Sequence, residues 1–160
     1  MLKLKAPTSQ MRIATKSSKI DISKESLTAK FARKFSKILK AGDVVLLHGE
    51  IGAGKTTFVR YLIKSLEKKN KLKLGEITSP TFSILNEYEI KKTVIRHYDL
   101  FRIKNSSEIK NIGIYENLEN FITFVEWPEK IQKKIKRKYN LYFKYNSKLE
   151  MRSLEINKRI

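Results

Sequence analysis

The stretch Gly49-Glu50-Ile51-Gly52-Ala53-Gly54-Lys55-Thr56 decides the fold of this chain, and the apolar run Val44-Val45-Leu46-Leu47 precedes it. It fits the spacing G-x-x-x-x-G-K-[ST]. Glycines let the backbone fold around an anion without Cβ clashes, so that successive N–H groups point at the anion. The pattern therefore predicts a strand, a phosphate-binding loop and then a helix.

The residues after the loop continue at helical spacing, which is the context that the motif requires. Lys55 is expected to place its charge on the outer phosphates, Thr56 to offer its hydroxyl to magnesium, and Thr57 to reach an inner phosphate. The start of the helix turns its positive dipole end toward the same anion. A simple Gly-rich turn is the alternative. The context favours a nucleoside triphosphate site, whose loop residues are Gly49, Gly52, Ala53 and Gly54.

Composition limits the remaining classes of function. A chain of 160 residues with 41% hydrophobic content suits one domain with an ordinary core. The absence of Cys excludes disulfides and thiolate metal sites, so we expect a cytoplasmic protein whose metal is a hard, oxygen-bound ion such as Mg²⁺. No apolar stretch approaches the roughly 20 residues of a membrane span, and the first residues lack the apolar core of a secretory signal.

Residues 1–19 are basic, rich in Ser and Thr, and free of acidic residues. This composition superficially resembles an organelle transit peptide. Little amphipathic periodicity and Pro7 favour a flexible tail instead. We therefore predict a tail over residues 1–19 and a folded domain over residues 20–160.

The formal net charge of +19 suggests an anionic partner such as RNA. The basic residues form two clusters, one over residues 64–73 and another over residues 133–138. Neither cluster is interleaved with the aromatic and Gly pattern of an RNA-reading sheet. Biased composition explains the charge equally well, so direct contact with nucleic acid stays open at this point.

The order of predicted elements indicates a compact α/β unit. Ser23 is a plausible N-cap for a first helix, and Gly42 a plausible stop. After the phosphate loop and its helix, residues 82–88 and 94–98 are predicted to be two extended runs that form a hairpin. Short helices are predicted over residues 107–112 and 115–121, and strands over residues 122–125, 141–145 and 153–156. This order predicts a single P-loop NTPase-like domain with a mainly parallel central sheet, an antiparallel portion and flanking helices.

Two acidic residues, Asp99 and Glu126, follow predicted strands directly. Ligands of open α/β sheets gather at the carboxyl ends of the strands. A triphosphate site needs an acidic group to hold magnesium and another acceptor to orient the attacking water. Strand-end caps or surface charges are the alternative interpretation. We interpret the pair as the catalytic carboxylates.

Four motifs occur in order: residues 49–57, Ser79-Pro80-Thr81-Phe82, His97-Tyr98-Asp99-Leu100-Phe101-Arg102 and Val125-Glu126-Trp127-Pro128. In this order and spacing the chain resembles the TsaE (YjeE) family of small ATPases of bacterial tRNA threonylcarbamoyladenosine synthesis. The resemblance covers residues 20–156. The family pattern usually has Tyr at the position of Phe101, so the hydroxyl and any hydrogen bond that it makes are lost here, while the packing should persist.

The resemblance gives each motif a role. It implies that Thr56 and Glu126 hold magnesium, that Asp99 acts near the γ-phosphate, and that Thr81 lies on a segment that senses the nucleotide. It also implies nucleotide contacts for Trp127, Arg152 and the chain near Ser23. The alternatives are core packing for Trp127, a Pro-adjacent turn for Thr81 and a solvated strand residue for Arg152. His97 is interpreted as a packing residue rather than a base.

The expected activity is therefore magnesium-dependent hydrolysis of ATP, slow in the isolated chain. The family resemblance implies TsaD and TsaB as partners, with tRNA reached through that complex. A small nucleoside or nucleotide kinase shares the loop and the length, but it needs an acceptor pocket and usually an Arg-bearing lid. A nucleotide-dependent RNA-binding module is a further alternative that only the basic charge supports.

Overall fold

The computed structural model describes residues 18–148 and 150–159, which form one seven-stranded sheet with helices on both faces. The strands are β1 (Ser18–Asp21), β2 (Val44–His48), β3 (Leu85–Ile90), β4 (Thr93–Asp99), β5 (Phe121–Glu126), β6 (Lys138–Tyr145) and β7 (Arg152–Arg159). The helices are α1 (Glu25–Phe35), α2 (Lys55–Lys69) and α3 (Ser106–Asn111), with short 3-10 helices at Leu118–Asn120 and Pro128–Lys130.

The sheet has the order β1-β7-β6-β2-β5-β4-β3. Its four middle strands, β6, β2, β5 and β4, run parallel, and antiparallel pairs close both edges. Carboxyl ends of parallel strands meet at one edge of a sheet. The register aligns Leu47 and Asp99 with Glu126, so the ends of β2, β5 and β4 lie side by side. This confirms the predicted fold class.

Strand β2 is buried on both faces, which explains its uninterrupted apolar run. Side chains alternate along a strand, so Val45 and Leu47 join the core on one face of the sheet while Val44 and Leu46 join the core on the other. The first core includes α1 and α2, and the second includes α3 and the turns around it. The centre of the sheet is therefore covered on both sides.

Helices α1 and α2 pack against each other through aromatic side chains. The ring of Phe31 lies 5.6 Å from those of Phe35 and Phe58, and the last two lie 5.9 Å apart. Aromatic pairs at such separations add to the free energy of area burial, by about 0.5–1.5 kcal/mol each. These contacts hold α2, and with it the phosphate-loop motif, against the sheet.

The predicted hairpin, short helix and closing strands are confirmed as β3 with β4, α3, and β6 with β7. The start of α1 is a correction, because Lys24 and not Ser23 is its N-cap. The Ser23 hydroxyl instead accepts the Arg152 N–H at 2.9 Å across the sheet. Helix α1 also ends at Phe35, and Gly42, with φ 89°, occupies a turn before β2.

The helix predicted over residues 115–121 is wrong. Turns and the 3-10 helix Leu118–Asn120 occupy most of that segment, and Phe121 already begins β5. Asn117 has a left-handed φ of 52°, which interrupts any continuous α-helix there. Phe82, expected to lead into a strand, lies in a turn with 85% of its side chain exposed.

Most of the predicted tail, residues 1–17, lies outside the described residues. Ser18 and Lys19, assigned to that tail, belong to β1 and pair with Ile156 and Glu155 of β7. The folded domain therefore starts at least two residues before the predicted boundary. In the described part of the chain, no helix combines the length and apolar character that crossing a bilayer requires.

Gly49 is a position where only glycine fits. Its φ is 141°, and a Cβ added there would lie 2.5 Å from the Phe143 carbonyl oxygen of β6. Gly49→Ala should lower the free energy of unfolding by on the order of 3 kcal/mol, because strain and a backbone clash add. Gly75→Ala is the control, since Gly75 has φ 82° but open space around a Cβ. Urea denaturation checks the pair, and an equal, small loss in both variants would contradict this account.

Candidate functional site

The loop between β2 and α2 has the backbone geometry of an anion cradle. Gly52 and Gly54 have φ values of 76° and 104°, and Gly54 is the left-handed N-cap of α2. Lys55 folds back over the loop, where its Nζ donates to the carbonyl oxygens of Gly49 at 2.6 Å and Glu50 at 2.8 Å. The N–H groups at the start of α2 have no partner within the helix, so they can bind an anion.

Lys55 is buried, with 5% of its surface exposed. Burial lowers the pKa of its ammonium from the ordinary value, and the carboxylates of Glu126, Asp99 and Glu129 oppose that shift. The Nζ also lies 4.3 Å from the centre of the Trp127 ring. The Trp127 ring and the carboxylates therefore stabilise the charged form of Lys55, which is largely shielded from solvent.

Glu126 joins the phosphate loop to the sheet. It is buried at the end of β5, with 3% of the residue's surface exposed. Its Oε1 accepts a hydrogen bond from the Thr56 hydroxyl at 2.8 Å and lies 2.9 Å from Nε2 of His97. A carboxylate oxygen is the acceptor, so His97 donates through Nε2. The packing role predicted for His97 thus extends to holding Glu126.

Asp99 ends β4 beside Glu126 and binds the segment that carries Thr81. Its Oδ2 accepts the Thr81 hydroxyl at 2.8 Å, and its Oδ1 accepts the Phe101 N–H at 2.9 Å. The Ile84 carbonyl accepts the Asp99 N–H at 2.9 Å. Ile84 has φ 68°, a costly conformation for a β-branched residue. The Thr81 segment is therefore held against Asp99 by bonds that outweigh local strain.

A cavity of about 290 Å³ opens over these groups. Its lining contains the loop, both carboxylates and two aromatic rings: Ile51, Gly52, Ala53, Gly54, Lys55, Thr56, Thr57, Thr81, Asp99, Phe101, Glu126 and Trp127. The rings of Phe101 and Trp127 lie 5.0 Å apart at its edge. The packing expected at Phe101 without a hydroxyl is therefore present.

A second cavity, of about 340 Å³, also borders the loop. It shares Gly52, Ala53, Gly54 and Thr57 with the first and adds Ile22, Glu25, Thr28, Arg60 and Arg152. The Nε of Arg152 is buried and has no hydrogen-bond partner among the described residues. An unpaired buried donor is costly, so this nitrogen is suited to a ligand acceptor. The loop thus lines two cavities.

The family model of "Threonylcarbamoyl adenosine biosynthesis protein TsaE" matches residues 22–155. The chain belongs to the TsaE family. The match includes both cavities and the loop between them, and the family acts in tRNA threonylcarbamoyladenosine biosynthesis.

Individual relatives agree with the TsaE family model. The chain is 44% identical over 105 residues to the tRNA threonylcarbamoyladenosine biosynthesis protein TsaE of Rickettsia prowazekii, covering 66% of this chain and 70% of the relative. It is 40% identical over 106 residues to the Aquifex aeolicus protein of the same name, covering 66% and 73%. The crystal structure of Bacillus subtilis YdiB matches with a TM-score of 0.70 at 22% identity, over 91% of this chain and 86% of that one. The match to YdiB shows that the two proteins share a fold.

The predicted TsaE site residues fall into two groups. The first cavity brings together most of the loop with Thr81, Asp99, Glu126 and Trp127, and the second contains Arg152. Ser23 lines neither cavity, because its hydroxyl is bonded to the Arg152 backbone, although Ile22 beside it does. Gly49 lies at the base of the loop.

Sequence reasoning missed Arg60 and Thr28 in the second cavity. Arg60 follows Thr57, which lines both cavities, by three residues, so the two lie on the same face of α2, and that spacing could have revealed Arg60. Thr28 is buried on α1, where helical spacing alone suggests only a core position.

The oxygen atoms around Thr56 fit a magnesium ion in their chemistry. Thr56 directs its proton to Glu126 Oε1 and keeps its lone pairs, and Oε2 of Glu126 accepts no hydrogen bond from the described residues. Among these residues no group of three or more His, Cys, Asp and Glu could hold a metal unaided. Mg²⁺ typically binds one or two carboxylates together with substrate phosphates, so such a site would be completed by a nucleotide.

The hydrogen bond from His97 to Glu126 should stabilise the fold. His97→Leu removes a buried donor and leaves the carboxylate with less compensation, so we expect the free energy of unfolding to fall by about 2 kcal/mol. His97→Gln retains a donor and should recover a good part of the loss. Thermal and urea denaturation of the three proteins provide the check. Equal stability of the Leu variant and the wild type would show that the bond contributes little.

Proposed function

We propose that this chain binds ATP with magnesium, hydrolyses it, and thereby supports tRNA threonylcarbamoyladenosine modification together with TsaD and TsaB. The observation that carries the proposal is the 2.8 Å bond from Thr56, at the start of α2, to the buried Glu126 beside Asp99. It joins a phosphate loop to two carboxylates at one edge of the sheet. Membership in the TsaE family supports the pathway.

The loop is the proposed triphosphate site. Backbone N–H groups at the start of α2 and the positive end of its dipole attract the phosphates. The Lys55 ammonium, which donates to the carbonyls of Gly49 and Glu50, exchanges these acceptors for outer phosphate oxygens. Charge-assisted bonds of this kind are roughly twice as strong as neutral ones. Lys55 therefore carries a large share of the binding free energy.

Thr56 and Glu126 would hold magnesium. When bound, the ion neutralises charge on the outer phosphate oxygens during transfer. His97 keeps Glu126 oriented toward Thr56 through the bond to Oε1, and Oε2, which accepts no hydrogen bond from the described residues, would be the oxygen available to the ion.

Asp99 is the proposed acceptor for the attacking water. A water oxygen bonds to the γ-phosphorus while the bond from that phosphorus to the β–γ bridging oxygen breaks, which yields ADP and inorganic phosphate. Asp99 orients the water by accepting a hydrogen bond from it. Lys55 compensates the negative charge on the outer phosphate oxygens. The Thr81 hydroxyl donates to Asp99 at 2.8 Å. This hydrogen bond would be broken or kept depending on whether the nucleotide site is occupied.

The second cavity would receive the nucleoside side of ATP. Thr57 lines both cavities and so lies between the outer phosphates and this region. Arg152 offers its unpaired Nε there, and Arg60 lines the same cavity.

The first cavity is open, and two of its lining residues are exposed: Ile51, at 68%, and Phe101, at 45%. Exposed apolar residues at a mouth suit coverage by partner proteins, which would reach tRNA.

Lys55→Ala tests the proposal directly. The variant keeps the core but loses the cation of the loop, so affinity for ATP should fall by about 10- to 100-fold and hydrolysis should be lost. Lys64→Ala, on the exposed face of the same helix, is the control and should behave as the wild type. Calorimetric titration and phosphate release, with TsaD and TsaB present and no nucleoside acceptor, measure both effects. Wild-type affinity and rate in folded Lys55→Ala would contradict the site.

A further inference from the structure

The turn that follows Glu126 contacts β2 on one side and the turn after β4 on the other. Trp127 has a left-handed φ of 58°, and the 3-10 helix Pro128–Lys130 follows it. We name residues 127–130 the clamp turn. Its Glu129 Oε1 lies 3.2 Å from Nδ1 of His48, the last residue of β2. Its Lys130 reaches to the other side, toward the turn after β4.

Lys130 holds two carbonyl groups of that turn. Its Nζ donates to the Phe101 oxygen at 3.0 Å and to the Ile103 oxygen. The side chain is half-buried, and Ile103 is buried with 2% exposed. An ammonium group has three donors, so one lysine can satisfy two backbone acceptors at once. Removal of the ammonium would leave carbonyls that no other described side chain bonds.

The same turn orients Asp99. The N–H of Phe101 donates to Asp99 Oδ1 at 2.9 Å, while its carbonyl accepts from Lys130. Phe101 therefore connects the two groups: its N–H holds Asp99 Oδ1, and its carbonyl is held by Lys130 of the clamp turn. Only Oδ2, bonded to the Thr81 hydroxyl, remains for exchange with another donor.

We infer that Lys130 is a positioning residue for ATP hydrolysis, which fixes the direction of the Asp99 carboxylate by holding the 101–103 backbone. This inference rests on the proposed function. Lys130 lines neither the first nor the second cavity, so it has no direct path to the nucleotide. Misplacement of a catalytic group by about 1 Å can cost on the order of a hundredfold in rate. Lys130 therefore affects turnover through Asp99 and leaves nucleotide affinity to the loop.

Lys130→Met keeps the length and apolar stem of the side chain and removes the ammonium. We expect kcat to fall by about tenfold while the Kd for a non-hydrolysable ATP analogue changes by less than about twofold, because only alignment is lost. Lys130→Arg should recover most of the rate. Lys104→Met is the matched control, since Lys104 is exposed in the same region and has no hydrogen bond or ion pair among the described residues. If Lys130→Met does not fold, Lys130→Gln replaces it, with the same direction expected.

Amide hydrogen exchange gives a readout that does not depend on activity. In the full chain, the Phe101 N–H should lose protection in Lys130→Met and keep it in Lys104→Met, while amides of β2 and β5 stay protected in both. Unchanged Phe101 protection, or unchanged kcat, would overturn the inference. A wild-type chain without magnesium-dependent turnover would instead overturn the proposed function, and the exchange result would still decide whether Lys130 orders this turn.

Discussion

The buried carboxylate of Glu126 is the constraint on which the centre of this molecule depends. A buried carboxylate is costly unless it is paired and hydrogen-bonded. Here the compensation comes from two elements outside its own strand, the Thr56 hydroxyl of α2 and His97 of β4. Both bonds require β2, β5 and β4 to end at the same level, as the pairing of Leu47 and Asp99 with Glu126 achieves. The interactions that stabilise the sheet at this edge are therefore the ones that assemble the site.

Opposite charges are separated across this edge. The loop presents N–H groups, the dipole of α2 and the Lys55 ammonium, whereas the strand ends present two carboxylates. In the described structure the Lys55 ammonium donates to carbonyl oxygens of its own loop and lies over the Trp127 ring, so a cation is held at the loop. Under the proposed function, a cation held beside the site reduces the reorganisation needed when charge develops during phosphoryl transfer. The net charge of +19 is a separate property, since the first cavity itself contains one lysine and two carboxylates.

The sequence predicted those parts of the fold that depend on local geometry. The spacing of Gly49, Gly54 and Lys55 after an apolar run specifies a strand, loop and helix, and strand-end positions brought Asp99 and Glu126 together as expected. Ser23 was misassigned and Lys130 was overlooked because of contacts distant along the chain, whereas the left-handed Asn117 interrupts the helix predicted over residues 115–121 locally. Ser23 has the residue type and position of an N-cap, but its hydroxyl accepts a hydrogen bond from the backbone N–H of Arg152, 129 residues away. The bonds of Lys130 to the turn after β4 likewise span 29 and 27 residues, which no local pattern encodes.

The magnesium dependence of hydrolysis in Glu126→Gln separates a metal-binding role of Glu126 from a purely structural one, since this change removes the charge of the shared carboxylate and keeps its shape. With TsaD and TsaB present, we expect a half-maximal magnesium concentration raised by about tenfold or more and a lower maximal rate, because a neutral amide is a weak ligand for a hard cation. ATP affinity in the absence of magnesium should stay close to that of the wild type. Identical rates of Glu126→Gln and wild type across the whole magnesium titration would contradict the claim that Glu126 joins the loop to the metal.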